Sequence, residues 1–240
     1  MSMGRRIKQL RKEIRAERLR GWELMKRIGE SDSGVFGESG EECEKVGYDE
    51  MDVFFNSLLD VGEMPVPIVE LERDMVEYYK TPARVVVELA ARMVFGPEDV
   101  FYDLGSGLGQ VVLLVHLLTG MAARGVEIEP AYCGYARKCV KRLGLSGVEF
   151  VAGDARDADL SAGTVFFLFT PFKGEVFCQV MGRLKALAVG RRIRVIGYGP
   201  CSAEIERLDW LRREGDGGDR ETGTSGVYSL QIFSNSHEDN

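Results

Sequence analysis

The stretch from Val100 to Leu118 constrains this chain more than any other. An apolar run, Val100-Phe101-Tyr102-Asp103-Leu104, leads into Gly105-Ser106-Gly107-Leu108-Gly109, and an almost wholly apolar segment follows from Gln110 to Leu118. A short apolar run, a glycine turn and a longer apolar run read as strand, tight turn and buried helix. Glycines 105 and 107 let the backbone turn sharply and approach a bound molecule with no Cβ in the way. The helix after them contributes free amides and the positive end of its dipole.

The alternation of strand and helix continues along the chain. Thr81-Pro82 predicts a helix start, with a hydroxyl cap and proline at the first helical position. Val86, Leu89 and Met93 then face inward, and Arg84, Glu88 and Arg92 outward. Further strands are expected ending at Glu127, over 148–152, 164–169 and 192–198. Helices are expected after Pro130 and around Val176, Val180 and Leu184. Strands and helices in turn, joined by short loops, predict an α/β fold: a doubly wound, Rossmann-like, seven-stranded sheet, mostly parallel. No crossover helix follows Val227–Phe233, so that run predicts an antiparallel C-terminal strand beside a short strand near Trp210-Leu211-Arg212. The turn-rich stretch 215–226 would join the two.

Ahead of this core, residues 5–28 carry a helical stripe (Ile7, Leu10, Ile14) with a break near Gly21. Residues 29–49 read as a loop, and an apolar segment at 53–59 precedes Pro65-Val66-Pro67. The expected organisation is an N-terminal helical or irregular extension (1–77), a ligand-binding domain (78–234) and a disordered tail (235–240).

Composition narrows the function classes. A formal net charge of -7 argues against a general nucleic-acid coat. The charge is uneven, however. Arg5, Arg6, Lys8, Arg11, Lys12, Arg15, Arg18, Arg20 and Lys26 crowd the N-terminus. They read either as a phosphate-binding arm or, more simply, as a solvated helix face paired with Glu13, Glu17 and Glu23. The 5 cysteines are scattered and His116 and His237 stand far apart, which predicts reduced thiols and no metal site. No apolar run reaches the ~20 residues of a membrane span, and the basic start leads into no signal core. The expectation is a cytoplasmic protein, or a nuclear one in a eukaryote.

Three acids sit at successive strand ends around the glycine turn: Asp103, Glu127, and Asp154 in Gly153-Asp154-Ala155. Open α/β sheets bind ligands at that edge. The spacing G-x-G-x-G with an acid closing the strand differs from the G-x-G-x-x-G of dinucleotide enzymes, whose turn holds a diphosphate. A carboxylate at Asp103 repels a diphosphate and suits the cationic amino-acid end of S-adenosylmethionine (SAM). Glu127 can accept from both ribose hydroxyls, and Asp154 from the adenine amino group.

At these residues the chain resembles class I SAM-dependent methyltransferases. Within them Asp103-Leu-Gly-Ser-Gly-Leu-Gly-Gln-Val-Val-Leu113 is similar to the non-SET histone lysine methyltransferases, the disruptor-of-telomeric-silencing family. The likeness covers roughly Tyr78 to Gly197. It implies a cofactor site of Thr81, Asp103, Gly105, Ser106, Gly107, Gly109, Gln110, Glu127, Asp154 and Ala155, with Tyr79 and Thr81 closing over the methionyl end. The chain departs from the family at Lys80, where the family has a glutamate. It departs again at Phe169-Thr170-Pro171-Phe172, where the family has an asparagine pair. That second segment is also similar to the (Asp/Asn/Ser)-Pro-Pro-(Tyr/Phe) motif of amino-group methyltransferases, but with Phe169 at the position of the polar acceptor, so that the acceptor is absent unless Thr170 serves. A strand exit with a proline turn into the next helix is the equal alternative. Tyr79, Thr170 and Phe172 are therefore the candidate acceptor-side residues. The expected reaction is methyl transfer to an amine nitrogen of a protein lysine or another macromolecule, with protein or RNA as partner. A non-catalytic SAM-binding scaffold and an NAD(P)-dependent oxidoreductase are the alternatives.

Overall fold

The computed structural model describes residues 3–16, 23–24, 48–59, 63–214 and 227–235. In chain order its elements are α1 (Met3–Arg15), α2 (Glu50–Leu59), α3 (Ala83–Arg92), β1 (Val100–Leu104), α4 (Gln110–Thr119), β2 (Ala122–Glu127), α5 (Pro130–Leu143) and β3 (Val148–Ala152). Then follow β4 (Val165–Leu168), α6 (Gly174–Leu187), β5 (Arg194–Tyr198), α7 (Cys201–Glu206), β6 (Arg212–Arg213) and β7 (Leu230–Ser234).

The strands form the expected seven-stranded sheet, in the order β3-β2-β1-β4-β5-β7-β6. Strands β1 to β5 pair in parallel, and β7 runs antiparallel to both β5 and β6. Strand order reverses between β1 and β4, which opens a crevice at their carboxyl ends. Alternation along β1 feeds two cores. Phe101 joins the cluster built on α1 to α5, while Tyr102 and Leu104 join the one built on α6 and α7.

Helix α4 is buried from Gln110 to Leu118. A helix apolar on every side needs cover on every side, and the N-terminal segment helps to supply it. Helix α3 packs on α4, α2 on α3, and α1 on α2 and α5. Ile7, Leu10 and Ile14 of α1 and Phe54, Phe55, Leu58 and Leu59 of α2 share one core with Val112 and Leu114 of α4. The apolar run at 53–59 is thus a helix.

Thr81 does not cap α3. Pro82 takes the cap position, with no side-chain cap of its own, and the first free amide belongs to Ala83. Proline forces the residue before it into an extended form and lacks an N–H, so the cap is supplied from elsewhere in the chain. The buried Asp52 carboxylate of α2 accepts from Ala83 N at 3.0 Å through Oδ1 and from Asp49 N at 3.1 Å through Oδ2. Lys80 Nζ lies 3.0 Å from the same Oδ1.

Residues 63–80, between α2 and α3, form an extended strap across the carboxyl edge of the sheet. Glu129 Oε2 accepts from Ile68 N at 2.7 Å and Val69 N at 2.9 Å. Val76 N donates to Pro171 O at 3.0 Å, and Lys173 N to Asp74 O at 2.8 Å. Met75 bridges Phe172 in antiparallel fashion.

Helix α1 uses its cations in packing. Arg11 donates to the carbonyls of Leu58 and Ser57, and Arg15 to that of Arg142. Arg18, Arg20, Lys26, the break at Gly21, most of the 29–49 loop, Cys43, the 215–226 connection and the tail from residue 236, with His237, lie outside the described residues. Among the described residues no helix is long and apolar enough to cross a membrane, and no cluster of His, Cys, Asp and Glu could hold a metal ion.

Candidate cofactor and acceptor site

The glycine turn closes β1 onto α4 with all three glycines at positive φ: +87° at Gly105, +50° at Gly107 and +82° at Gly109. Each also faces a different neighbour at a distance that excludes a Cβ. At Gly105 one would stand 2.4 Å from Pro171, at Gly107 2.1 Å from the Tyr78 ring, and at Gly109 2.4 Å from Phe150.

The amides of the turn are already engaged. Gly105 N and Ser106 N donate to Val126 O at 2.9 and 3.0 Å, and Gly109 N to Ser106 O at 2.8 Å. Gly107 N donates to Glu127 Oε2 at 2.6 Å. A diphosphate would need such amides free, so this turn is not built to hold one. Its hydrogen bonds instead anchor the end of β2 and the Glu127 carboxylate.

A cavity of about 680 Å³ opens over the turn. Tyr79, Thr81, Asp103, Gly105, Ser106, Gln110, Glu127, Asp154, Ala155 and Phe172 all line it, together with strap residues. Three residues expected at the site do not line it. Gly107 is covered by Tyr78, and Gly109 turns toward Phe150 and Ala136 in the core. Thr170 has its hydroxyl engaged elsewhere, accepting from Cys201 N at 3.2 Å and donating to Tyr198 O at 3.4 Å. At φ +44° it joins the exit of β4 to the start of α7, and Phe169 and Pro171 on either side of it face the cavity.

The electrostatics of the cavity are one-sided. Asp103 is 3% exposed and Glu127 8%. Burial, and then the proximity of Glu127, push the Asp103 carboxyl well above the usual range. Burial also raises Glu127, against the pull of the amides of Glu129, Gly107 and Ile128. Among the described residues no cationic side chain bonds either carboxylate. Buried like charges without a partner are costly, and a cationic ligand relieves that cost. Asp154 differs, because the Arg156 guanidinium binds both its oxygens and holds its pKa down. The free lone pairs of Asp154 can still accept. Ser106 Oγ and Gln110 Nε2 are buried at the cavity without a partner.

Several wall residues carried no signal in the sequence. Tyr78 lies against Gly107 and 5.6 Å from the Tyr132 ring, and burial pushes its phenol up. Its neighbour Tyr79 stays 63% exposed at the rim. Glu129 caps α5 at Ala131 N, 3.0 Å away, while it holds the strap. Phe169, already singled out by its motif, packs at a tilt against Tyr198, ring centroids 4.8 Å apart, and meets Tyr228 edge-on at 6.3 Å.

Residues 76–152, from the end of the strap through β3, match the family model described as histone methylation protein DOT1. An RNA methyltransferase from Salinibacter ruber, solved with S-adenosyl-L-homocysteine, is similar in structure at 26% identity and a TM-score of 0.50. The match covers 65% of this chain and 92% of that one. The chain is a class I SAM-dependent methyltransferase. Its likeness to DOT1 lies in the cofactor-binding half. The methyltransferase also resembles the mitomycin 7-O-methyltransferase MmcR (16% identity, 64% of this chain and 53% of that one, TM-score 0.49). A third likeness is to the tRNA (uracil-54, C5)-methyltransferase of Pyrococcus abyssi (16%, 65% and 39%, TM-score 0.47). This chain thus spans about half or less of each of those two. No curated protein sequence matches it.

The residues present fit SAM. Asp103, with no cationic partner among the described residues, would suit the methionyl ammonium. Glu127 keeps lone pairs that could accept from a ribose, and Asp154 and Ala155 line the same cavity where a base could lie.

Proposed function

We propose that this methyltransferase acts on an amine nitrogen, most directly a lysine side chain presented by another protein. One observation carries this reading: the strap over the cavity is both acidic and apolar. Glu63, Glu70, Glu72 and Glu77 are exposed along it, and Met64, Val66 and Ile68 are 55%, 80% and 77% exposed. Such a surface attracts a cationic polypeptide and repels a phosphate backbone.

Met75 of the strap and, behind it, Phe169, Phe172 and Val176 form the wall, with no histidine or cysteine among the cavity residues. An apolar lining lowers the pKa of an entering ammonium, which must lose its proton before it can attack. SAM supplies an already activated methyl group. What remains for the chain is to exclude water and to hold donor and acceptor in line at ~3–3.5 Å. Phe169 and Phe172 form the wall for that alignment, and Tyr79 guards its mouth.

RNA is the second reading, favoured by the activity of the Salinibacter ruber protein and by the basic helix α1. Yet α1 docks through Arg15 at the carboxyl end of α5, about 20 Å of helix away from the cavity edge. The test is incubation with methyl-labelled SAM and a mixture of lysine-rich protein and RNA. Label on lysine Nε that survives nuclease is the expected result. Label confined to RNA would refute the proposal.

A further inference from the structure

A second cavity, about 180 Å³, lies behind Tyr78. Tyr78, Gln110 and Met64 wall both cavities, and Lys80 lines only the second. The rest of its lining is Leu59, Leu108, Leu113, Cys139 and Asn56, whose Oδ1 is buried without a partner. Two features make it a polar end-pocket. Gln110 is 5% exposed, and its Nε2 is buried with no partner. Lys80, 20% exposed at its side chain, is held in place at 3.0 Å from Asp52, over the Tyr48 ring at 5.2 Å. Its carbonyl accepts from the Tyr48 hydroxyl.

Asp52 takes only part of the donor capacity of Lys80. Its carboxylate is shared with the amides of Asp49 and Ala83 and sits at the positive end of α3. An ammonium has three donors, and Asp52 accounts for one. The cofactor end of a methionine carries two charges of opposite sign. Asp103, on the main cavity, suits the ammonium, whereas the main cavity's lining holds no lysine or arginine to balance the carboxylate and offers it only neutral donors such as Gln110 Nε2 and Ser106 Oγ.

We propose that Lys80, with Gln110, recognises the α-carboxylate of the bound cofactor at the mouth of this second cavity. Asp103 and Lys80 then form a matched pair of opposite charges that fixes which way the methionine end lies. Lys80 stands where the resembling family carries a glutamate, so the contact is this chain's own. The inference rests on SAM as the cofactor.

The test is calorimetric binding of SAM and of decarboxylated SAM, which keeps the sulfonium and the amine, to the wild type, Lys80→Met and Lys80→Arg. Melting temperatures run alongside show whether each variant is folded. Losing one hydrogen bond to a charged group weakens SAM binding by about tenfold in Lys80→Met, while decarboxylated SAM changes by less than about twofold. Lys80→Arg, which keeps the charge, restores most of the SAM affinity. Equal losses for both ligands, or no loss for SAM, overturn the inference. So does a wild type that binds decarboxylated SAM as tightly as SAM. Failure of the wild type to bind either ligand overturns the cofactor assignment itself and the inference with it.

Discussion

Gly107→Ala isolates what the glycine turn is for. A Cβ at this position would stand 2.1 Å from Tyr78 Cε2 and 2.2 Å from its Cδ2, so the ring must move. The residue also holds φ at +50°, which costs an L-amino acid about 1–2 kcal/mol. Overpacking adds about 1–3 kcal/mol. Together these are about 3 kcal/mol, a fall of roughly 10 °C in melting temperature for a domain of this size. The two parts separate in a double-mutant cycle. In a Tyr78→Ala background the steric part vanishes, and only the strain, worth about 4 °C, is left. Thermal denaturation of the four proteins at one pH is the assay. If Gly107→Ala costs the same with and without the Tyr78 ring, then Tyr78 does not cover the turn and the assignment of this site wall is wrong.

Asp103→Asn should weaken SAM binding by about tenfold or more, since a hydrogen bond to a charged group is lost. Because burial holds the native Asp103 pKa above its unfolded value, the stability it contributes is present at low pH and is lost as pH rises through the native pKa. The asparagine variant should therefore melt higher than wild type at neutral pH and no higher in acid. Wild-type SAM affinity should rise with pH through the same range, and a flat profile would contradict this. Glu127→Gln places an amide where both oxygens now accept, from Gly107 N and Glu129 N. A cost of ~1–3 kcal/mol is expected, readable as a melting shift, and an unchanged melting temperature would remove Glu127 as the anchor of the turn. Arg156→Ala cuts the link from Asp154 to Glu72 of the strap. Limited proteolysis should then cleave within 63–77 faster, because the Arg156 link to the exposed Glu72 is one of the side-chain ties that hold the strap.

The sheet and the acids at its edge were legible because both follow from local pattern. Apolar runs set the strands, and residues at strand ends must lie at the carboxyl edge, so Asp103, Glu127 and Asp154 fell where the sequence pointed. The strap defeated the same reasoning. It has no period, so nothing showed that Tyr78 faces inward and Tyr79 outward, and only Gly107 across the gap decides between them. Thr81 carried a cap signal that was overruled by Asp52, 31 residues before the amide it caps. Thr170 and Glu129 were obscured for the same reason. Their partners, Cys201 and the Ile68–Val69 amides, are remote in sequence, and a hydroxyl or carboxylate gives no local sign of which distant donor it serves.

The dependence of α3 on Asp52, and of α2 on Arg11 47 residues before Leu58, has a consequence for biosynthesis. These first helices leave the ribosome well before the sheet and α4 that cover them exist. Phe54, Phe55, Leu58 and Leu59 must wait, exposed, until residues 83–118 have been made and folded. Docking of α1 and α2 therefore follows the folding of the sheet and α4 that they cover. The strap of residues 63–80, which lines the cofactor cavity, lies between α2 and α3 and is fixed at both ends only when both helices have docked.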